Sequence, residues 1–124
     1  MDQTRRVLVV DDEPTVREVL ADFLRAEGYE VTVANNGRHA LALLEGSLPH
    51  VIVLDLMMPL IDGFAFRAQQ LLSPRLALIP VIVVSARYNL DGALRTLRPQ
   101  ACLSKPFDLD LLLVTVTAVT HAAA

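Results

Sequence analysis

Tryptophan is absent from the 124-residue chain, cysteine and lysine occur once each, and aromatic residues make up only 5%. A single cysteine excludes an internal disulfide, so nothing staples the chain and a reducing cytoplasm is the expected setting. No apolar run approaches the ~20 residues that cross a bilayer. The opening Met1-Asp2-Gln3-Thr4-Arg5-Arg6 lacks the basic, then apolar, then small-residue order of a secretory signal. Excess positive charge is missing too. The formal net charge is −3, which argues against a basic face gripping nucleic acid directly. Repeats, low-complexity tracts and Pro/Gly/Ser linkers are missing between Thr4 and Val119. With 53% hydrophobic and 20% charged residues, the chain is too apolar for disorder and has ample material for one core. Residues 1–124 are therefore expected to form a single domain.

What the chain does contain is a regular alternation of two patterns. Val7-Leu8-Val9-Val10 is an apolar run stopped by Asp11-Asp12-Glu13-Pro14, after which Val16, Val19, Leu20, Phe23 and Leu24 recur at helical spacing up to Gly28. Pro14 suits a first helical turn, with Asp12 or Glu13 as the cap. Val31–Ala34 reads as a strand, Asn35-Asn36-Gly37 as a turn, and His39–Glu45 as a short helix. The cycle repeats with Val51–Leu54 before Asp55, a helix over Gly63–Leu72, and Pro80–Val84 before Ser85. Leu90, Leu94 and Leu97 mark a further helix ended by Pro99, and Ala101-Cys102-Leu103 is a weak strand before Ser104-Lys105-Pro106. From Phe107 to about Ala122 the stripe Leu109, Leu112, Val116, Val119 fits a helix, although Val114–Thr117 also alternates like a strand. Asp108 as a cap and the preceding rhythm favour the helix. Five strands alternating with five helices imply an α/β fold with a doubly wound parallel sheet covered on both faces. Right-handed crossovers then place every strand's carboxyl end on one edge, where such sheets bind ligands.

The residues at those ends are chemically pointed. The first strand ends at Asp11-Asp12, the third at Asp55 and the fourth at Ser85, and the fifth is followed by the only lysine, Lys105. Carboxylates brought together on an open rim repel one another by on the order of 4 kcal/mol per pair at ~4 Å. One must take up a proton or a cation must sit among them. Hard oxygen donors suit Mg²⁺. The ammonium of Lys105 and the hydroxyl of Ser85 can stabilise an oxyanion. Cation, ammonium and hydroxyl around a free carboxylate make a set of groups for phosphoryl transfer, with the carboxylate as nucleophile.

Val7-Leu8-Val9-Val10-Asp11-Asp12-Glu13, Val53-Leu54-Asp55-Leu56-Met57-Met58-Pro59, Asp62-Gly63-Phe64, Val84-Ser85-Ala86 and Lys105-Pro106-Phe107 together resemble the receiver domain of two-component response regulators. The resemblance runs from about Arg6 to the end of the chain. It implies a flavodoxin-like (β/α)5 sheet of order 2-1-3-4-5, for which a receiver is itself a standing example. It further implies that Asp55 accepts a phosphoryl group from a histidine kinase or histidine phosphotransfer protein, and that a downstream protein or effector domain reads the result. Asp12, with Asp11, would hold Mg²⁺ together with Asp55 and the backbone carbonyl of Met57. Ser85 would bond the phosphoryl group, Lys105 would pair with it, and a cis peptide before Pro106 would aim that lysine inward. Residues two beyond the phosphoacceptor and two beyond the hydroxyl, Met57 and Arg87, would tune the phosphoryl lifetime. Met57 offers no polar group to position water, so self-dephosphorylation is expected to be slow.

Departures from the family pattern fall on one segment. Where the family carries Tyr or Phe as an inward-swinging switch, this chain has Cys102; the Gly-Ala before that position is replaced by Arg98-Pro99-Gln100-Ala101, and the interval from Ser85 to Lys105 is slightly shortened. Signalling is therefore expected to rely on the Ser85 loop. Blander roles suit other residues. Asp62-Gly63 reads as a turn and cap, Met57 and Met58 as packing side chains, Cys102 as a small buried hydrophobe, and His39, His50 and His121 as solvent or turn residues without metal spacing. Leu111, Val114 and Ala118 lie off the main stripe of the last helix, which suits either a homodimer or partner interface or ordinary exposure. Two other functions compete with the phosphoacceptor: a Mg²⁺-dependent aspartyl-phosphate phosphohydrolase, opposed by Met57 and the short length, and a degenerate receiver serving only docking or dimerisation, opposed by the intact acidic set. The chain is expected to be either a stand-alone receiver or a piece of a larger regulator or hybrid kinase.

Overall fold

The computed structural model describes residues 4–56, 62–85, 97–106 and 108–122. Its strands are β1 (Arg6–Val10), β2 (Glu30–Ala34), β3 (Val51–Asp55), β4 (Val81–Ser85) and β5 (Ala101–Ser104). The described helices are α1 (Pro14–Ala26), α2 (Gly37–Gly46), α3 (Gly63–Leu72) and α4 (Leu109–Ala122), with a 3₁₀ turn at Leu76–Leu78. All strand pairs are parallel, in the order β2-β1-β3-β4-β5. The helix expected around Leu90 and Leu94 lies outside the described residues, except for its last member, Leu97, which is buried.

The uninterrupted apolar strands have a simple origin. Side chains alternate across a sheet, and both faces here are covered. Leu8, Val10, Ile52, Leu54, Val81 and Val83 pack with Ala40 and Leu44 of α2 and Phe66 of α3. Their neighbours Val7, Val9, Val51, Val53, Ile82 and Val84 pack on the other face with Leu20 and Leu24 of α1 and Leu112 and Val116 of α4. Every position of β3 and β4 is buried.

Helix starts follow capping chemistry. The side chain of Asn36 accepts the His39 N–H at 2.8 Å, which starts α2 two residues before the expected His39. Asp62 accepts the Ala65 N–H at 2.9 Å and Asp108 the Leu111 N–H at 2.7 Å. At α1 the expected side-chain cap does not form: Glu13 occupies the cap position without a side-chain bond. The Glu13 N–H is instead taken by Asp11 Oδ1 at 2.9 Å. Gly28, past the end of α1, has φ +96°, a conformation costly for any residue with a Cβ. Val19, expected in the buried stripe of α1, is exposed, while Ala21 takes its place in the core. The strand-like Val114–Thr117 stretch is helical, with Thr115 Oγ1 donating to the Leu111 carbonyl one turn back at 2.8 Å.

Candidate functional site

Strand register alone brings the acids together. β1 and β3 are neighbours with Val10 opposite Leu54, so Asp11 and Asp55 emerge side by side one step further on. Carboxylate oxygens of Asp11, Asp12 and Asp55 all lie within 4.8 Å of one another. The three differ in environment. Asp11 is 1% exposed and Asp55 5%, whereas Asp12 is open to solvent. The expected open rim is thus largely covered: Asp11 and Asp55 form a buried floor at the ends of two central strands, and only Asp12 is exposed.

Lys105 reaches this floor from the far side of the sheet. β5 pairs with β4 so that Ser104 lies opposite Ser85, and the Lys105 N–H donates to the Ser85 carbonyl at 2.8 Å. The Lys105–Pro106 peptide bond is cis, as the resemblance implies. Lys105 Nζ donates to Asp11 Oδ2 at 3.0 Å and lies 3.7 Å from Asp55 Oδ1. Its side chain is mostly shielded, which strengthens both interactions relative to a surface pair. The ammonium thus balances part of the negative charge of the two carboxylates.

Ser85 ends β4 and is fully buried, on the strand whose Val84 faces Asp55. Cys102 lies opposite Val83 in β5, half-buried against the α2–α3 side of the core. Burial pushes its thiol above the ordinary value, so it is a packing residue with little thiolate character. Met57 and Arg87 fall outside the described residues.

Gly63 and a set of arginines were not legible as site supports. The Gly63 N–H donates to the Leu56 carbonyl at 3.1 Å, and a Cβ built on Gly63 would sit 2.6 Å from Leu56 Cα and 2.7 Å from the Asp55 carbonyl oxygen. The helix start therefore rests directly on the backbone that carries Asp55. Arg17 Nη1 donates to the Asp11 carbonyl at 2.8 Å. Arg67, buried in α3, donates to the carbonyls of Leu97 and Arg98 at 3.0 and 3.1 Å and to Gln70 Oε1 at 2.8 Å. Gln70 in turn donates to the Leu76 and Ile79 carbonyls. Burial draws the Arg67 guanidinium below its ordinary value, yet four hydrogen bonds knit α3 to the segments before β4 and β5, and the Arg67–Gln70 bond ties their two donors together. Helical spacing marks these residues only as polar positions; their partners are fixed by chain segments remote in sequence.

A doubly wound parallel sheet carrying three carboxylates and a lysine at its carboxyl edge defines a flavodoxin-like α/β module built to handle a cation and an anionic group. A family profile described as the response regulator receiver domain matches residues 7–117. The transcriptional regulatory protein TcrA of Mycobacterium tuberculosis is 38% identical over 118 residues, covering 94% of this chain and 46% of that protein. Protein PilH of Pseudomonas aeruginosa is 34% identical, covering 92% of this chain and 96% of PilH. Among solved structures, the response regulator TrrA of Thermotoga maritima, in complex with Mg²⁺-BeF, superposes with a TM-score of 0.83 at 30% identity, covering 94% of this chain and 99% of that one. The chain belongs to the response regulator receiver domain family, the signalling phosphoacceptors of two-component systems. It spans about half the length of TcrA. Among the described residues no helix is long and apolar enough to cross a membrane.

Proposed function

We propose that residues 1–124 form one receiver module in which Asp55 accepts a phosphoryl group from a histidine kinase or histidine phosphotransfer protein in the cytoplasm. The observation that carries this reading is the placement of Lys105 Nζ between Asp11 and Asp55, 3.0 and 3.7 Å away, within a cluster of three carboxylates. Three hard oxygen donors within 4.8 Å fit a small divalent cation, and TrrA, similar over nearly its whole length, is a complex with Mg²⁺-BeF. Asp11, Asp12 and Asp55 would hold Mg²⁺, joined by the Met57 carbonyl on the family's pattern. When bound, the ion neutralises charge on the transferring group.

The chain's own residues do the rest. An Asp55 oxygen attacks phosphorus as the P–N bond to the donor's histidine breaks, and the freed imidazole nitrogen takes a proton. Lys105 moves its ammonium from the two carboxylates onto the arriving phosphoryl oxygens. Ser85 at the end of β4 binds the same group, and its segment carries the change toward a downstream protein. Cys102, lacking an aromatic ring, packs and does not swing. The shielded floor keeps bulk water from the acyl phosphate, which together with Met57 and Arg87 gives a long-lived phosphorylated state. Self-assisted phosphorylation follows from the same groups: a small acyl phosphate needs no partner protein to reach Asp55.

The test is intact-mass spectrometry after incubation with Mg²⁺ and acetyl phosphate. One phosphoryl addition, abolished in Asp55→Asn, is the expected result. Rapid multiple turnover of the donor would instead indicate a phosphohydrolase, and no addition would indicate a docking module alone.

A further inference from the structure

Asp12 is the one exposed member of the acidic cluster, and its side chain makes no hydrogen bond or ion pair to the described residues. Its aim into the cluster is therefore set entirely by the main chain from Asp11 to Glu13. Besides the first helical bond of α1, three bonds hold that stretch. The Asp11 N–H donates to the Ala34 carbonyl at 3.2 Å, extending the β1–β2 ladder by one step. The Glu13 N–H donates to Asp11 Oδ1 at 2.9 Å. Arg17 Nη1 donates to the Asp11 carbonyl at 2.8 Å. Only the third reaches the main chain from a side chain outside the stretch, Lys105 bonding the Asp11 carboxylate instead. α1 starts without a side-chain cap, so no capping bond shares the task.

Arg17 is well placed for it. Its own N–H closes the first turn of α1 on the Glu13 carbonyl at 2.9 Å, while its guanidinium reaches back to Asp11. The Asp11 carbonyl points out of the ladder on a residue 1% exposed, where an unpaired acceptor is costly. One residue thus grips both ends of the stretch that presents Asp12.

We propose that Arg17 is a positioning residue for the metal site, holding the Asp11–Glu13 main chain so that Asp12 faces Asp55. This rests on reading the acidic cluster as a Mg²⁺ site. The charge of Arg17 works in the opposite direction, since a guanidinium near the cluster repels a cation. The two effects therefore predict opposite signs when Arg17 is removed, and the sign decides.

The experiment is Mg²⁺ titration of the full chain by calorimetry, for the parent, Arg17→Met and Arg17→Lys, each first checked by thermal unfolding. Loss of an outer residue that orients metal ligands typically weakens metal affinity ~10- to 100-fold. Arg17→Met is expected to fall at the lower end, about tenfold. Arg17→Lys, with its charge kept and its donor shortened, is expected to lie between the two. Unchanged or tighter binding in Arg17→Met, with or without a lower unfolding temperature, overturns the proposal. If Arg17→Met does not fold, Arg17→Lys decides: weaker binding than the parent upholds the proposal, and parental binding overturns it. Failure of the parent to bind Mg²⁺ at all would instead strike the metal-site reading itself.

Discussion

Lys105 is held more closely by Asp11 than by Asp55, at 3.0 against 3.7 Å. A cation entering the cluster competes with that ammonium for the same oxygens. Removing the lysine leaves buried Asp11 without its charged partner and makes the apo site costlier. We expect Lys105→Met to tighten Mg²⁺ binding roughly tenfold, a modest share of the ~4 kcal/mol Coulomb coupling of close charges at an effective dielectric of 20. The same variant should accumulate less phosphoprotein, because the acyl phosphate loses its counter-charge. Calorimetry and intact mass check the two halves separately, and weaker Mg²⁺ binding would contradict the competition.

His50 is a second residue whose structural part exceeds its appearance in the sequence. Its Nδ1 accepts the Arg6 N–H at 2.9 Å, while its own N–H donates to the Arg6 carbonyl at 2.8 Å. Burial first, then the charges of Arg6 and Arg5, lower its pKa from 6.5. The neutral ring is thus the form the fold requires. The unfolded chain binds a proton more readily, so stability from this residue is complete above ~6.5 and is lost as pH falls through the lower folded value. Urea unfolding at pH 7.5 and 5.5 should show a drop on acidification that shrinks in His50→Asn, whose amide oxygen can accept the same N–H without titrating.

At the scale of elements, the start of α3 and the end of β3 behave as one unit. Cβ contacts of 2.6 and 2.7 Å at Gly63 are with backbone atoms of Leu56 and Asp55, which cannot rotate away. Gly63→Ala must push the helix off the strand or tilt the strand end that carries Asp55. We expect a loss of ~1–3 kcal/mol in unfolding free energy, the usual cost of overpacking, with slower phosphorylation by acetyl phosphate. Trimming Leu56 should not restore either, since the closest atoms belong to the main chain. Parental stability and rate in Gly63→Ala would show that the contact yields freely. The Asp62-Gly63 pair reads in sequence as a turn and cap, and the cap is there; the close approach beneath it becomes visible only once α3 is laid over the sheet edge.

For the whole molecule, the acidic floor links ligand binding to folding. Unfolding disperses the three carboxylates, so a cation bound among them stabilises only the native chain. At Mg²⁺ one hundred times its Kd, unfolding free energy should rise by ~2.7 kcal/mol, read as an upward shift in Tm that chelation reverses. Asp12→Ala should blunt the shift. An equal shift in that variant would place the ion elsewhere.

Apolar strands closed by acids, caps at Asn36, Asp62 and Asp108, and the rhythm of strand and helix are local properties. They are written in nearest neighbours and short periods, so strand count, parallel arrangement and the meeting of Asp11, Asp12, Asp55, Ser85 and Lys105 at one edge were determined by the sequence alone. Burial of Asp55, exposure of Val19, the missing side-chain cap at α1, and the hands that Arg17, Arg67 and His50 lend to distant carbonyls and amides were decided by the tertiary structure. The physical reason is that each depends on which remote backbone atom loses its water when layers close. A polar side chain shows its type in sequence, but its partner exists only after the sheet and helices have come together.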